Sequence, residues 1–361
     1  MGKWHLEGAK TKNRPLARGF ESFLGLLGAS IDHYTQKTTG NDRDLWRNED
    51  EVPREKVDEK EHATNLFTRE AIGVIERHAA TAAAAAGGRE GGIDPLFLYL
   101  AYTAPHTPLQ AYAKYLDICK EVPNRHRRTF CAMMAQLDEG VGNVTRALRE
   151  NRMWEDTVVV FSSDNGGSFM VGGFNYMYRG GKSTGWEGGV RVPGFVRAPE
   201  SFGFWTEEDF GGMVHVADWM PTLVGLAGGR EGREGGRDGY GLGRVFRGEE
   251  ESPRREALVQ MDVFRNSSAY RSGCLKVRGG EGGREGGREG GGRSKYDMVQ
   301  MDVFQNASAY RSGCLKVRGG EGRREEGGGE MGLLESHSFP PEIRNRLVIE
   351  RGKVIRIAMT H

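Results

Sequence analysis

Three stretches of the chain have a hydrophobic pattern that predicts a regular element. Leu96 to Tyr102 is a continuous apolar run with aromatic residues, stopped by Pro105, and it predicts a strand buried on both faces. Residues 157–161 (TVVVF) form a β-branched run that predicts a second strand. Between them, residues 129–150 place apolar side chains at helical spacing, which predicts one amphipathic helix. We expect its Met133 and Met134 to lie in the core.

The order strand, helix, strand predicts an α/β fold with a largely parallel, buried sheet. VRVPGFVRAP (190–199) predicts a further strand, and VHVADWMPTLVGLAG (214–228) predicts a helix. In that helix Asp218 is the candidate N-cap, with Pro221 in the first turn.

Polar side chains follow both of the first two strands. His106 lies in the loop after the first strand, and Asp164 and Asn165 follow the second. Ligands of open α/β sheets bind beyond the carboxyl ends of the strands. These residues therefore form the candidate site.

The second half of the chain contains low-complexity tracts and one internal repeat. Residues 259–282 recur as residues 299–322 with two differences. Mixtures of Gly, Arg and Glu bury nothing and predict mobile loops; such tracts lie at 87–92, 228–237, 279–292 and 319–329. We predict a main domain over 1–255, with Gly-rich insertions at 87–92 and 228–237, and a small C-terminal domain over 256–361. One fold position accommodates only one copy of the repeat, and we expect the other copy to pack poorly.

The charge balance excludes some classes of partner. The chain has 51 Lys and Arg residues against 50 Asp and Glu residues, so a nucleic-acid-binding surface is not expected. No apolar run approaches the ~20 residues that span a bilayer, and the first twenty residues lack the apolar core of a signal peptide.

The cysteines and the glycosylation sequons leave the cellular compartment open. Cys119, Cys131, Cys274 and Cys314 lack metal-ligand spacing and are too few for a disulfide scaffold. Triplets for N-glycosylation begin at Asn143, Asn266 and Asn306, and they favour secretion only weakly because such triplets are common by chance.

The polar residues at the strand ends suggest chemistry on an oxyanion ester. Asp164 and Asn165 followed by two glycines offer oxygen ligands of the kind that Ca²⁺ or Mg²⁺ takes, although an isolated Asp-Asn-Gly-Gly also forms an ordinary Asx-turn. Lys182, in the Gly-rich YRGGKSTGWEGGVRVP (178–193), would alone be a solvated lysine. Together with Lys3, His5 and His106 it completes a set suited to a tetrahedral oxyanion.

At this point the motifs resemble the type I sulfatases, most closely their arylsulfatase B-like branch. The similar segments, in the same order, are GKWHL (2–6), RGFESFLGLLGASIDHY (18–34), ATNLFTREAIGVIERH (63–78), APHTPLQ (104–110), LDEGVGNVTRALRE (137–150), SSDNGG (162–167), GGK…GWEGGVRVP (180–193) and HVADWMPTLVGLAG (215–228). The resemblance implies an alkaline-phosphatase-like sandwich, with a mixed, mainly parallel sheet flanked by helices. It also implies a small antiparallel C-terminal sheet that contains one GCLKVRGG copy.

The resemblance also implies residue roles. Asp164 and Asn165 match the metal ligands of the family, usually for Ca²⁺ in this branch. Lys3 and His5 match the pair beside the modified nucleophile, where the lysine holds a sulfate oxygen and the histidine helps the covalent sulfate leave. His106 and Lys182 match the pair that contacts sulfate and the departing oxygen.

Two elements of the family pattern are absent from the sequence. There is no Cys-x-Pro-Ser-Arg or Cys-x-Ala-Ser-Arg motif, whose cysteine becomes formylglycine, and no upstream Asp-Asp pair. Cys274 and Cys314, each followed by Leu-Lys-Val-Arg, are interpreted as structural or free cysteines. We interpret the chain as an N-terminally truncated sulfatase and expect it not to hydrolyse sulfate esters as written.

For a full-length form, the resemblance implies sulfate-ester hydrolysis resembling that of N-acetylgalactosamine-4-sulfatase, on sulfated glycans or aryl sulfates. It also implies maturation by the formylglycine-generating enzyme, in a secreted or lysosomal, endomembrane-lumen setting. The alternatives are a phosphodiesterase or phosphonate hydrolase of the same superfamily, and an inactive anion- or glycan-binding remnant. A final expectation is that six residues converge in one cleft: Lys3, His5, His106, Asp164, Asn165 and Lys182.

Overall fold

The computed structural model describes residues 1–6, 8–86, 95–204, 209–229, 239–262, 267–272, 275–280, 298–301 and 353–360. The chain divides into two compact units. Unit 1 comprises Met1–Thr157 and Gly167–Phe174, and unit 2 comprises Val158–Gly166 and Asn175–His361. The boundary predicted at residue 255 stays a prediction.

Unit 1 contains a four-stranded mixed sheet in the order of the chain. Its strands are β1 (Gly2–Lys3), β2 (Leu24–Leu26), β3 (Trp46–Arg47) and β4 (Asp50–Glu51). Strands β1 and β2 run parallel, with Gly2 opposite Gly25, and the other two pairs are antiparallel. A two-residue turn joins β3 to β4, with Asn48 at φ 57°, and so short a turn permits only antiparallel pairing.

Three α-helices belong to unit 1: α1 (Ala63–Ala86), α2 (Ala113–Ile118) and α3 (Arg125–Glu150). Helix α3 confirms the amphipathic helix predicted from 129–150. It begins earlier because the side chain of Asn124 accepts a hydrogen bond from the backbone N–H of Arg127 at 2.9 Å. Met133 is fully buried as expected, whereas Met134 is 38% exposed because it faces away from the buried stripe of the helix.

The helices of unit 1 cover a core built on β2 and α1. Leu24, Leu26, Leu45, Ala63 and Phe67 are among its buried members. A smaller cluster joins α2 to α3 through Tyr115, Cys119 and Ala132. Burial of these side chains is the main source of stability in such a layer, at about 25 cal/mol per Å² of apolar surface.

The segment predicted as a strand buried on both faces is instead extended and half-buried. It joins the sheet through one isolated parallel bridge between Ala101 and Gly2. Phe97 and Tyr99 are 62% and 52% exposed. Leu100 and Tyr102 pack against the core of unit 1. The prediction of burial on both faces is therefore wrong for unit 1, because side chains alternate along an extended chain and only one of its faces meets this core.

Unit 2 contains a mixed sheet in the order β5-β6-β12-β7. Its strands are β5 (Val159–Ser162), β6 (Arg191–Ala198), β7 (Asp209–His215) and β12 (Lys353–Thr360). The strands predicted at 157–161 and 190–199 are thereby confirmed. Strands β7 and β12 pair in parallel, while the other two pairs are antiparallel. Parallel pairs occur in both mixed sheets, but antiparallel pairs outnumber them among the described strands, where the sequence predicted mainly parallel pairing.

A second sheet of unit 2 is small and entirely antiparallel, in the order β11-β10-β9-β8. Its strands are β8 (Glu256–Asp262), β9 (Ser267–Ser272), β10 (Leu275–Gly280) and β11 (Met298–Met301). The first copy of the repeat supplies β9, β10 and most of β8, and the first residues of the second copy lie in β11. The small antiparallel sheet containing LKVRGG is confirmed; the packing of the rest of the second copy lies outside the described residues.

The helices of unit 2 are short: α4 (Glu187–Val190), α5 (Trp219–Leu226) and α6 (Gly243–Phe246). Asp218 precedes α5 as predicted, but its side chain does not cap that helix. The carboxylate instead accepts two hydrogen bonds from Arg254, at 2.7 and 2.6 Å, and is fully buried. Asp218 therefore occupies the predicted N-cap position of α5 without capping the helix through its side chain. Its carboxylate also accepts the backbone N–H groups of His215 and Tyr240, at 2.8 and 2.9 Å.

Helices and mixed sheets in both units confirm the α/β class. In the part of the chain that the structure describes, no helix combines the length and apolar character needed to cross a membrane. The tracts at 87–92 and 319–329 lie outside the described residues, as do nearly all residues of those at 228–237 and 279–292.

Candidate functional site

Unit 1 brings three of the predicted site residues to one edge of its sheet. Lys3 ends β1, and its backbone N–H donates to Ala101 O at 2.8 Å. His5 follows at φ 52°, with its N–H on Leu27 O at 3.2 Å. Because β1 runs parallel to the segment containing Ala101, the residues after each pairing leave the sheet at the same edge. Lys3, His5 and the loop of His106 therefore share this edge.

His106 lies half-buried in a turn that begins at Thr103. Its backbone N–H donates to Thr103 O at 2.8 Å, and its ring Nδ1 lies 2.8 Å from Thr107 O. A carbonyl oxygen only accepts, so Nδ1 carries the proton in this contact.

Two buried histidines, His33 and His62, form hydrogen bonds with this loop. His33 Nε2 donates to His106 O at 2.9 Å, and its Nδ1 lies 3.2 Å from Thr103 Oγ1. His62 Nε2 donates to Gln110 O at 3.1 Å. The two imidazoles stack with centroids 4.7 Å apart.

Burial keeps both of these rings neutral. It lowers the pKa of His33, against an opposing hydrogen bond to His106 O. Burial and then repulsion from His33 lower the pKa of His62 to about 3. Both rings are therefore uncharged at neutral pH, each with one N–H donated to a carbonyl oxygen of the loop.

Unit 2 contains the other predicted site residues. Asp164 and Asn165 follow β5, with Asp164 exposed and Asn165 half-buried. The Asn165 side chain donates its Nδ2 to Gly166 O at 2.9 Å. Its other polar atom, Oδ1, is an acceptor and thus a candidate ligand for a cation.

The turn of Lys182 packs against this strand end through glycines. Gly166 N–H donates to Gly189 O at 2.9 Å, and Gly188 N–H donates to Arg179 O at 2.8 Å. A Cβ at Gly166 would overlap the carbonyl oxygen of Gly188. The half-buried Lys182 sits in a turn closed by Thr184, whose N–H donates to Gly181 O at 3.0 Å. Glycine at these positions permits a backbone approach that no larger residue allows.

The ligand chemistry of Asp164 and Asn165 fits Ca²⁺ or Mg²⁺ in kind but not in number. Calcium takes six to eight oxygen ligands, and these two side chains supply only part of that shell. Among the described residues no group of three or more His, Cys, Asp or Glu side chains is arranged to hold a metal ion.

Two features of unit 1 have no signature in the sequence. Cys119 at the end of α2 forms a disulfide with Cys131 on α3, with Cα atoms 6.1 Å apart. Their separation of twelve residues matches no motif, so only the helix packing reveals the pair. The loop supports His33 and His62 were also missed, because they lie 73 positions before His106 and 48 positions before Gln110, respectively, in the chain.

The structure describes one of the three glycosylation candidates. Asn143 is half-buried in α3, while Asn266 and Asn306 lie outside the described residues.

The six predicted site residues are divided between the two units. Lys3, His5 and His106 belong to unit 1, and Asp164, Asn165 and Lys182 belong to unit 2. The convergence of all six stays a prediction.

Comparisons with known proteins identify the family. The family model described as Sulfatase matches residues 1–229. The chain is 35% identical to arylsulfatase J of Mus musculus over 268 residues, which are 73% of this chain and 42% of that protein. It is 28% identical to N-acetylgalactosamine-6-sulfatase of Sus scrofa over 243 residues, 63% of this chain and 42% of that protein.

Solved structures agree with this result. Ps i-CgsB in complex with k-i-k-neocarrahexaose has 27% identity and a TM-score of 0.63, covering 77% of this chain and 61% of that chain. The PsFucS1 sulfatase from Pseudoalteromonas sp. has 22% identity and a TM-score of 0.56, covering 76% and 57%; this likeness concerns the fold alone.

The chain spans about two fifths of the length of arylsulfatase J and of N-acetylgalactosamine-6-sulfatase. Within that span, the matched region includes every predicted site residue from Lys3 to Lys182. The resemblance to the type I sulfatases, and through them to sulfuric ester hydrolases, is confirmed. The chain belongs to the sulfatase family.

Proposed function

We propose that this chain carries the substrate-holding residues of a sulfuric ester hydrolase that acts on sulfated glycans or aryl sulfates. The observation that carries the proposal is the close packing of Gly166 against Gly188 and Gly189. It connects the strand end of Asp164 and Asn165 to the turn of Lys182. The sulfatase family model spans all of these residues.

In this proposal Lys182 and His106 hold the transferred group. The ammonium of Lys182 neutralises an anionic sulfate oxygen, which it does best from a half-buried position where water screens less. His106, whose Nδ1 is held by Thr107 O, exchanges a proton with the departing alcohol oxygen.

Lys3 and His5 act at the sheet edge that also carries His106. Lys3 contributes a second positive charge for sulfate oxygens, and His5 serves as an acid or base for the release of sulfate. Their support is the parallel pairing of β1 with the segment of Ala101, which directs both chains to one edge.

Two further groups complete the chemistry in the proposal. A formylglycine, when present, supplies the nucleophile that attacks sulfur; no cysteine of this chain lies in the motif that is converted to it. A Ca²⁺ or Mg²⁺ held in part by Asp164 and Asn165 would supply positive charge.

The disulfide between Cys119 and Cys131 supports an oxidising compartment for this protein. We therefore propose a secreted or endomembrane-lumen location, lysosomes included. The same compartment suits maturation by a formylglycine-generating enzyme and N-glycosylation, for which Asn143, Asn266 and Asn306 are candidates.

One sequence observation favours a second function. Because the chain lacks the nucleophile motif, it would serve as an anion- or glycan-binding protein if it acts alone. Binding without turnover would identify this case. A phosphodiesterase or phosphonate hydrolase would instead prefer the phosphate ester.

Calorimetric titration of the full chain with an aryl sulfate and the matching aryl phosphate tests the proposal. Lys182→Ala is expected to weaken aryl sulfate binding about 10- to 100-fold, since a hydrogen bond to a charged group contributes ~1.5–3 kcal/mol. The exposed Lys120 provides the matched control, and Lys120→Ala should bind as the wild type does. Equal affinities of Lys182→Ala and the wild type would contradict the proposal, and tighter binding of the phosphate would favour the phosphodiesterase alternative.

A further inference from the structure

The loop of His106 is anchored by side chains from elsewhere in unit 1. The loop spans residues 103–110, and the side chain of His33 contacts it at two points, Thr103 Oγ1 and His106 O. The side chain of Gln110 closes the far end. Its Oε1 accepts the backbone N–H of His33 at 2.8 Å, and its Nε2 donates to Asp32 Oδ2 at 2.6 Å.

Each ring nitrogen of the two histidines has a defined role. The Nε2 of His33 must donate, because its partner is a carbonyl oxygen; the Nδ1 then accepts from the Thr103 hydroxyl. His62 repeats the pattern, donating from Nε2 to Gln110 O and accepting at Nδ1 from the backbone N–H of Thr64 at 3.2 Å. Two neutral, fully bonded rings stack face to face under the loop.

We propose that His33 is a positioning residue for His106: its imidazole clamps Thr103 and the His106 carbonyl, and thereby sets where the His106 ring stands. His62 supports the clamp by stacking on the His33 ring. The role of His106 itself rests on the proposed function. The clamp is a property of the loop and is measurable without any substrate.

A reacting side chain has to be held in a defined orientation, and the buried hydrogen bonds of His33 provide such a constraint for the loop of His106. A catalytic side chain displaced by about 1 Å loses much of its effect, so loops that carry such residues are held by buried hydrogen bonds. His33 is 1% exposed and His62 is fully buried, so neither ring reaches a substrate. Their effect on the reaction passes through the loop.

The test uses the full chain with ¹³C-labelled histidine, and the His106 signal is assigned from a His106→Gln spectrum. His33→Phe keeps an aromatic ring for the stack but removes both hydrogen bonds. We expect it to shift the His106 ring signal and its titration midpoint. The amide hydrogen of His106 should exchange at least about 5-fold faster, because the loop opens more easily once it has lost at least one hydrogen bond to His33. His33→Gln retains an N–H donor and should restore part of each value.

Two further variants keep the result decisive. His126 is exposed on α3, so His126→Gln should leave the His106 signal unchanged. If His33→Phe does not fold, Thr103→Val removes only the hydroxyl end of the clamp and should shift the His106 ring in the same direction, by less. An unchanged His106 ring signal in folded His33→Phe would overturn the proposal. If only Thr103→Val folds, an unchanged His106 ring signal in that variant would overturn it.

Titration with inorganic sulfate separates this inference from the proposed function. If His33→Phe shifts the His106 ring signal while Lys182→Ala leaves the sulfate affinity unchanged, the positioning role of His33 is supported and the proposed sulfate site is contradicted. If Lys182→Ala weakens sulfate binding while His33→Phe leaves the His106 ring signal unchanged, only the positioning role of His33 is contradicted.

Discussion

The backbone N–H of Gly166 donates a hydrogen bond to the carbonyl oxygen of Gly189 over 2.9 Å. This contact joins the strand end that carries Asp164 and Asn165 to the turn that carries Lys182. It requires a glycine at position 166, because a Cβ there would overlap Gly188 O. The candidate sulfate site of unit 2 therefore depends on two backbones that approach each other directly.

Replacing Gly166 by alanine should disrupt this approach. We expect Gly166→Ala to lower the free energy of unfolding by ~1–3 kcal/mol, since the overlap is with backbone that has to move, and to weaken aryl sulfate binding. Gly142→Ala is the matched control: no atom lies within 4 Å of its added Cβ, and alanine in a helix interior stabilises by up to ~1 kcal/mol. Urea unfolding and calorimetry measure both quantities, and wild-type affinity in Gly166→Ala would contradict the role of this contact.

The ion pair between Arg254 and Asp218 should be required for the stability of unit 2. Their side chains are 8% and 0% exposed, and removal of Arg254 leaves the buried carboxylate of Asp218 without a counter-charge. We expect Arg254→Met to cost ~3–5 kcal/mol. The neighbouring Arg255 pairs with Glu251 in solvent at 67% and 85% exposure, so Arg255→Met should cost only ~0–1 kcal/mol. Equal losses in thermal unfolding would show that burial does not decide the effect.

The disulfide between Cys119 and Cys131 should stabilise the packing of α2 on α3. Closing a loop of this size contributes ~3 kcal/mol in the chain-entropy model, so the Cys119→Ser/Cys131→Ser variant should unfold at lower urea concentration. Reductant should shift the wild type toward the variant and leave the variant unchanged. A reductant-insensitive wild type would exclude a stabilising bond.

Stability should fall as the pH drops below the ordinary pKa of histidine. The folded-state pKa of His62 is about 3, against ~6.5 in the unfolded chain. Between these values the unfolded state binds the extra proton, so folding loses up to ~1.4 kcal/mol per pH unit for this group. His62→Phe cannot take up that proton, and its unfolding free energy between pH 6.5 and 4 should fall less steeply. Parallel profiles would contradict the buried neutral state.

Sequence patterns located the elements whose signals are local. Helix α3 and strand β6 follow from apolar spacing within one window. The Asp-Asn-Gly-Gly end of β5 follows from its position after a β-branched run.

Features that depend on distant contacts were missed or wrong. Asp218 lies at the N-cap position that its local sequence predicts, but its carboxylate pairs with the distant Arg254 and does not cap the helix; a buried charge requires such a partner. Phe97 and Tyr99 look buried in sequence but occupy the exposed face of an extended segment. The supports of His106 come from Asp32, His33 and His62, whose spacing along the chain carries no motif.

The rate of aryl sulfate hydrolysis shows whether the site residues of this chain act on a sulfate ester. The chain is assayed alone, and also joined at Met1 to a relative's segment containing Cys-x-Pro-Ser-Arg, with the formylglycine-generating enzyme co-expressed. We expect no enzymatic turnover by the chain alone, and we expect the folded joined chain to turn over aryl sulfate in preference to aryl phosphate. Lys182→Ala or His106→Ala should then reduce that rate by at least about 10-fold, as loss of a charged contact or proton donor does. Equal turnover by the chain alone, or an undiminished rate in folded Lys182→Ala, would contradict the account.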